Sequence, residues 1–164
     1  MKKRLLPLLA VFALVLVACT STSSSTADDQ VNLSDYTYAS FDGETQTFDA
    51  QLGTPTVVNF FASWCPTCVA ELPDFERVSQ AQAGQVDFVG LSFLDEVGLS
   101  EDLLERTGVT FPTGQHIGDL YLESGALGMP TTLFIDAEGN LVHTHTGVLT
   151  EASLNTAISD HLSP

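Results

Sequence analysis

The sequence predicts an α/β domain in which helices flank a mixed central β-sheet, and three observations predict it. Two apolar, β-branched segments, Thr56–Ala62 and Val86–Phe93, are each followed by a segment with helical spacing. Parallel strands joined by helical crossovers produce that β-α-β-α order. Two strand-like segments then flank the turn Ala137–Asn140, and a helical segment closes the chain. A hairpin added to parallel strands makes the sheet mixed.

Taken from the N-terminal side, Tyr36–Phe41 and Glu44–Ala50 meet at Asp42-Gly43 and read as an N-terminal β-hairpin around a tight turn. Thr56–Ala62, "TVVNFFA", is almost continuously apolar, as suits a strand covered on both faces. From Pro66 to about Ala83 the apolar residues Val69, Leu72, Phe75 and Val78 recur every three positions, which predicts a helix that Gly84 ends. Pro73 inside it has no N–H to donate and should kink it. Val86–Phe93 reads as a second buried strand, and Ser100–Gly108 as a helix with Ser100 at the N-cap, acids in its first turn and glycine at its exit. Thr131–Asp136 and Leu141–Gly147 form the later hairpin, and Thr150–His161 the last helix. No internal repeat is present.

The first residues read differently from the rest. Lys2, Lys3 and Arg4 precede the apolar run Leu5–Ala18, which is too short to span a bilayer and has the build of a secretion signal. Leu16-Val17-Ala18-Cys19 looks like a bacterial lipobox, in which Cys19 is lipidated and becomes the mature N-terminus. The alternatives are an uncleaved anchor or a signal with Cys19 as a bystander. "TSTSSSTADD", Thr20–Asp29, offers nothing to bury and reads as a disordered tether. The expected organisation is a signal peptide over 1–18, a lipidated tether over 19–34 and one domain over 35–164, held outside the cytoplasm on the cell membrane.

The formal charge is −16, and loss of residues 1–18, which hold three cations and no acid, makes it −19, with Arg77 and Arg106 as the remaining cations besides histidine. Such a surface repels nucleic acid and anionic lipid headgroups, so membrane attachment would have to come from acyl chains. No nucleic-acid partner is expected. The acidity fits adaptation to a salty medium as well as ordinary solubility.

"FASWCPTCVAELP", Phe61–Pro73, holds two of the three cysteines. Cys65 and Cys68 at i and i+3 on a first helical turn face the same side, close enough for a disulfide or one metal ion. Structural zinc needs about four ligands, and the chain has no second such pair. His143 and His145 share a strand face, but alternating polar residues are ordinary there, and no metal or other cofactor is expected. A bridge closing so small a loop restricts the unfolded chain very little, which argues against a purely structural staple. A redox pair explains more. Cys65 falls at the N-cap, where the helix dipole and free N–H groups can lower a thiol pKa from about 8.5 into the range of roughly 3.5 to 7.5. Pro66 occupies N1, where a missing N–H costs least. Cys68 lies one turn deeper and is better shielded, so one sulfur attacks and the other resolves.

A strand, Trp64-Cys65-Pro66-Thr67-Cys68 opening a helix, and later Gly128-Met129-Pro130-Thr131 before a strand resemble the thioredoxin superfamily. "NFFASWCPTCVAELP" with "PTTLFIDAEGNLV" is similar to its extracytoplasmic TlpA, ResA and DsbE (CcmG) branch, over most of the chain from about Tyr36. The resemblance implies a thioredoxin-like fold and a thiol-disulfide oxidoreductase acting on protein cysteines. It implies Cys65 as nucleophile, Cys68 as resolving cysteine, Pro130 as a cis-proline packed against them, and Glu71 as an acid near the thiols. A cis bond before Pro130 would expose the backbone of Met129 to an extended substrate segment, whereas an ordinary trans turn would not. Trp64 either shields the sulfurs or is a core aromatic, and Glu71 is otherwise a solvated helix acid.

Some positions depart from the pattern. Asn59 stands where cytoplasmic thioredoxins carry a buried acid, in agreement with the extracytoplasmic branch, and Thr131 stands where the DsbE type usually has Glu. Many relatives use a membrane helix where this chain has Cys19. The resemblance implies a reductant of the cytochrome c maturation type working with a membrane redox partner; an oxidase of secreted proteins is the alternative. A Sco-like copper-handling protein normally has three residues between its cysteines plus a distal histidine, and here two intervene. A peroxiredoxin has a different cysteine pattern, and a non-catalytic binding domain leaves Cys65, Cys68 and Pro130 unexplained.

Overall fold

The computed structural model describes residues 30–162. The expected signal peptide, Cys19 and most of the expected tether lie outside the described residues. Packing reaches back past the expected domain start at 35: Val31 and Leu33 are buried, Asn32 bridges to Asn140, and one 3-10 turn, Leu33–Asp35, leads into the first strand.

Among the described residues seven strands form one sheet: β1 (Thr37–Ala39), β2 (Thr45–Thr47), β3 (Thr56–Phe61), β4 (Asp87–Ser92), β5 (Thr113–His116), β6 (Thr131–Ile135) and β7 (Leu141–Thr146). Their spatial order is β2-β1-β5-β4-β3-β6-β7. Helices α1 (Pro66–Ala81), α2 (Val97–Thr107), α3 (Leu120–Glu123) and α4 (Glu151–Leu162) complete the fold. β3, β4 and β5 are parallel neighbours, and the remaining pairings are antiparallel. The mixed sheet with flanking helices is therefore as expected.

The chain moves in one direction from β3 to β4 to β5, so right-handed crossovers place α1 and α2 on the same face. There Phe75 and Val78 of α1 pack with Leu154 and Ile158 of α4 over Val57, Phe88 and Phe134. The opposite face, with Val58, Phe60, Val89, Leu91 and Leu133, is covered by the N-terminal residues and by Leu120 and Tyr121 of short α3. β3 serves both faces because its side chains alternate, and all six of its residues are buried. That alternation turns Asn59 toward α1.

Three differences from the sequence reading have physical causes. The first hairpin is real but short, because β1 and β2 pair over only three residues each. β5 has no apolar run to announce it; Thr113–His116 is a strand because β4 and β1 pair with its two edges. Gly114 permits this closeness, since a Cβ there would lie 2.4 Å from the carbonyl oxygen of Ala39. α2 begins one residue after Glu96, so Ser100 is not its N-cap and Glu101 and Asp102 are not in its first turn. Ser100 is instead fully buried, and its hydroxyl meets that of Ser92 at 2.6 Å. The exit was read correctly: Gly108 caps α2 at φ 72°, a left-handed conformation that glycine adopts freely. α1 runs unbroken through Pro73.

Candidate functional site: a disulfide at a helix N-terminus

Because β3, β4 and β5 run in parallel and β6 runs against β3, the loops after the first three strands and the loop before β6 share one end of the sheet. The end of β7 lies there too. Trp64, Leu94, Ile117, Leu127 and Val148 sit on these loops and are exposed. Leu127 is 90% exposed and Trp64 54%, so Trp64 is not a core aromatic.

Cys65 and Cys68 lie at the centre of this end. Cys65 is the N-cap of α1, Pro66 follows at the first position, and the Cys68 N–H donates to the Cys65 sulfur at 3.2 Å. The two are joined in a disulfide, with Cα atoms 5.3 Å apart. Cys65 keeps 5% of its surface, whereas Cys68 is fully buried beneath it. The Thr67 hydroxyl lies 3.4 Å from the Cys65 sulfur.

The Met129–Pro130 bond is cis. Met129 packs against the cluster that holds both cysteines, and the Pro130 carbonyl accepts from the Gly147 N–H at 2.9 Å. The loop is braced from below. Tyr121 Oη and Thr131 Oγ1 both donate to the Gly128 carbonyl, at 2.9 and 2.6 Å. Thr131, a departure from the DsbE pattern, thus anchors the backbone of the proline loop.

Glu71 is not a solvated helix acid; it retains 2% of its surface. Its Oε1 accepts from Asn59 Nδ2 at 3.0 Å and its Oε2 from the Leu149 N–H at 3.0 Å. Asn59 also reaches Thr132 Oγ1 at 3.3 Å. Burial raises the Glu71 pKa to about 7; the bonds from Leu149 and Asn59 oppose the rise, and the charge of Asp74 adds to it. A carboxyl group that titrates near neutrality therefore lies one turn beyond Cys68.

The sequence reading missed Asp95 and Ser63. Asp95 follows β4 at its C-terminal end, the place where functional loops of parallel sheets gather, and that position was the available signal. Its carboxylate accepts from Ser63 and Ser100, and Trp64 Nε1 donates to the neighbouring Leu94 carbonyl at 3.0 Å. Of the two histidines weighed as metal ligands, His143 stacks on His161 at 4.0 Å between ring centres, and burial lowers its pKa, with His161 and His145 adding to the effect.

This sheet, with a helix-capping disulfide and a cis-proline whose preceding Met129 packs against the cysteine cluster, defines a thioredoxin-fold protein. The chain is similar to the thiol:disulfide interchange protein, thioredoxin family protein from Chlorobium tepidum TLS, at 25% identity and a TM-score of 0.68, over 78% of this chain and 93% of that one. Residues 23–158 match the Redoxin family, and the chain belongs to it. Among curated relatives it is similar to the thiol:disulfide interchange protein DsbE of Yersinia pestis, 32% identical over 111 residues and 65% of this chain. It is also similar to the thiol-disulfide oxidoreductase ResA of Halalkalibacterium halodurans, 29% identical over 104 residues and 60% of this chain. The match spans 57% of the length of either relative. The TlpA/ResA/DsbE-like classification rests on these likenesses.

Proposed function

We propose that the chain is an extracytoplasmic thiol-disulfide oxidoreductase acting on protein cysteines. The observation that carries this reading is the Cys65–Cys68 disulfide at the N-terminus of α1, with Cys65 the more exposed of the pair and Met129 of the cis Met129–Pro130 bond packed against the cluster that holds both. The names of the relatives support it. In the reductive direction the Cys65 thiolate attacks a substrate disulfide, an S–S bond forms between enzyme and substrate, and one substrate thiolate leaves. Cys68 then attacks the Cys65 sulfur, the second substrate thiol departs, and the enzyme disulfide closes. The substrate gains two electrons from the enzyme, and a membrane redox partner supplies two more to reduce the enzyme disulfide again. Glu71 takes the Cys68 proton in the second step. Trp64, Met129 and Pro130 hold the substrate segment, which pairs with the backbone before the cis bond as an added strand.

The direction is reductive, of the cytochrome c maturation type. A reduction potential measured against glutathione should fall between the roughly −270 mV of thioredoxin and −120 mV of DsbA, nearer the reducing end. A value close to that of DsbA would replace the reductant reading with an oxidase of secreted proteins. The chain is further read as membrane-tethered through a lipid on Cys19. Detergent-phase partitioning of the expressed protein should then disappear in Cys19→Ser, and undiminished partitioning would refute the tether.

A further inference from the structure

One carboxylate that the cysteine chemistry leaves unused joins three segments. Asp95 Oδ2 accepts from the Ser63 N–H at 2.6 Å and from the Ser100 hydroxyl at 3.0 Å. Its Oδ1 accepts from the Ser63 hydroxyl at 2.8 Å and from the Glu96 N–H at 3.0 Å. Ser100 is itself anchored on Ser92, at the end of β4. Four donors thus converge on one side chain. Two of them are main-chain N–H groups that approach different oxygens, so both oxygens must be acceptors. An ionised carboxylate meets that demand; an amide would turn its NH2 group against one of the N–H donors. Burial would raise the Asp95 pKa, but the bonds from Ser63, Ser100 and Glu96 outweigh it and hold the group below its usual value.

A second bond runs beside the first. Trp64 Nε1 donates to the carbonyl of Leu94, the residue before Asp95. Leu94 has a φ of 48°, a left-handed conformation unusual for leucine, and its side chain is 79% exposed. It is held on both sides: Trp64 Nε1 bonds its carbonyl, and Asp95, the next residue, is bonded to Ser63.

Building on the reading of Cys65 and Cys68 as a protein-directed redox pair, we propose that Asp95 is a positioning residue for protein substrates. Its carboxylate clasps the Ser63–Cys65 loop to the Leu94–Glu96 loop and holds Trp64 and Leu94 in place before a substrate arrives. A rim that is already ordered does not lose conformational freedom on binding, so a large substrate that presses on it gains most. A small disulfide that reaches only the Cys65 sulfur gains little. The clasp therefore sets selectivity between substrates, and Cys65 keeps its intrinsic reactivity without it.

The test compares the reduced wild type with Asp95→Asn and Ser63→Ala, each shown to be folded by circular dichroism, in exchange with insulin and with oxidised glutathione. Asp95→Asn should slow exchange with insulin about tenfold and exchange with glutathione less than about twofold, since one strong hydrogen-bond set is lost away from the reacting sulfur. The fluorescence anisotropy of Trp64, the single tryptophan, should fall in the same variant. Ser63→Ala removes one hydroxyl and leaves the main-chain bond, so it should show a smaller loss with the same selectivity; it also serves if Asp95→Asn does not fold. Equal losses toward both disulfides, or no loss with unchanged anisotropy, would overturn the clasp. A wild type that exchanges with neither disulfide would instead defeat the redox reading on which the clasp rests.

Discussion

Asp95 is bonded to Ser63, two residues before Cys65, and Glu71 lies on α1 three residues after Cys68, and their surroundings push the same functional group in opposite directions. Asp95 is partly open to solvent and collects four donors, so its carboxyl lies below the usual range. Glu71 is buried with two donors, so its pKa rises to about 7. Burial and hydrogen bonding act on both; deep burial prevails at Glu71, and the larger donor set prevails at the more open Asp95. The outer carboxylate is a permanent anion suited to holding loops. The inner one can gain or lose a proton at neutral pH, as the role proposed for it beside Cys68 requires.

The largest expected effect separates the two through stability. Between pH 4.5, the ordinary value for an unfolded glutamate, and about 7, the folded chain keeps a proton on Glu71 that the unfolded chain has released. Stability therefore falls as pH rises through that window, by about 3 kcal/mol. Glu71→Gln should abolish that slope in chemical denaturation. The variant should fold, because Asn59 Oδ1 has no protein partner and can turn to accept from the new amide. In stopped-flow exchange followed by Trp64 fluorescence, Glu71→Gln should slow resolution and leave the initial attack nearly unchanged. Equal rates in both steps would reduce Glu71 to a buried structural acid.

Asp95 should give a smaller slope of opposite sign. Its folded pKa is depressed, so it stabilises the fold above the unfolded value of 3.8, and the contribution is lost as pH falls through the folded value. Denaturation below pH 4 should therefore show an acid-side loss in wild type that Asp95→Asn lacks. A matching acid-side loss in the variant would assign the effect to other carboxylates.

Much of this was legible in the sequence because it is local. The apolar run of β3, the cysteine at the head of a three-residue apolar repeat, and Met129-Pro130 before a β-branched strand all carry their signals within a few residues. What escaped is non-local. Thr113–His116 becomes a strand only through its neighbours, and Ser100 lost the N-cap to a helix that starts earlier. The burial of Glu71 depends on Leu149, 78 residues away, and its helical repeat alone showed it as a surface acid. Asp95 meets Ser63 across 32 residues, between two loops that share no motif.

The decisive measurement is covalent trapping. Cys65→Ser and Cys68→Ser forms are incubated with a disulfide-bonded protein, quenched by alkylation and weighed by intact mass spectrometry. The difference in exposure between the two sulfurs predicts that Cys68→Ser accumulates a one-to-one mixed disulfide through Cys65, while Cys65→Ser accumulates little. Adducts formed chiefly through Cys68, or none with either form, would contradict it.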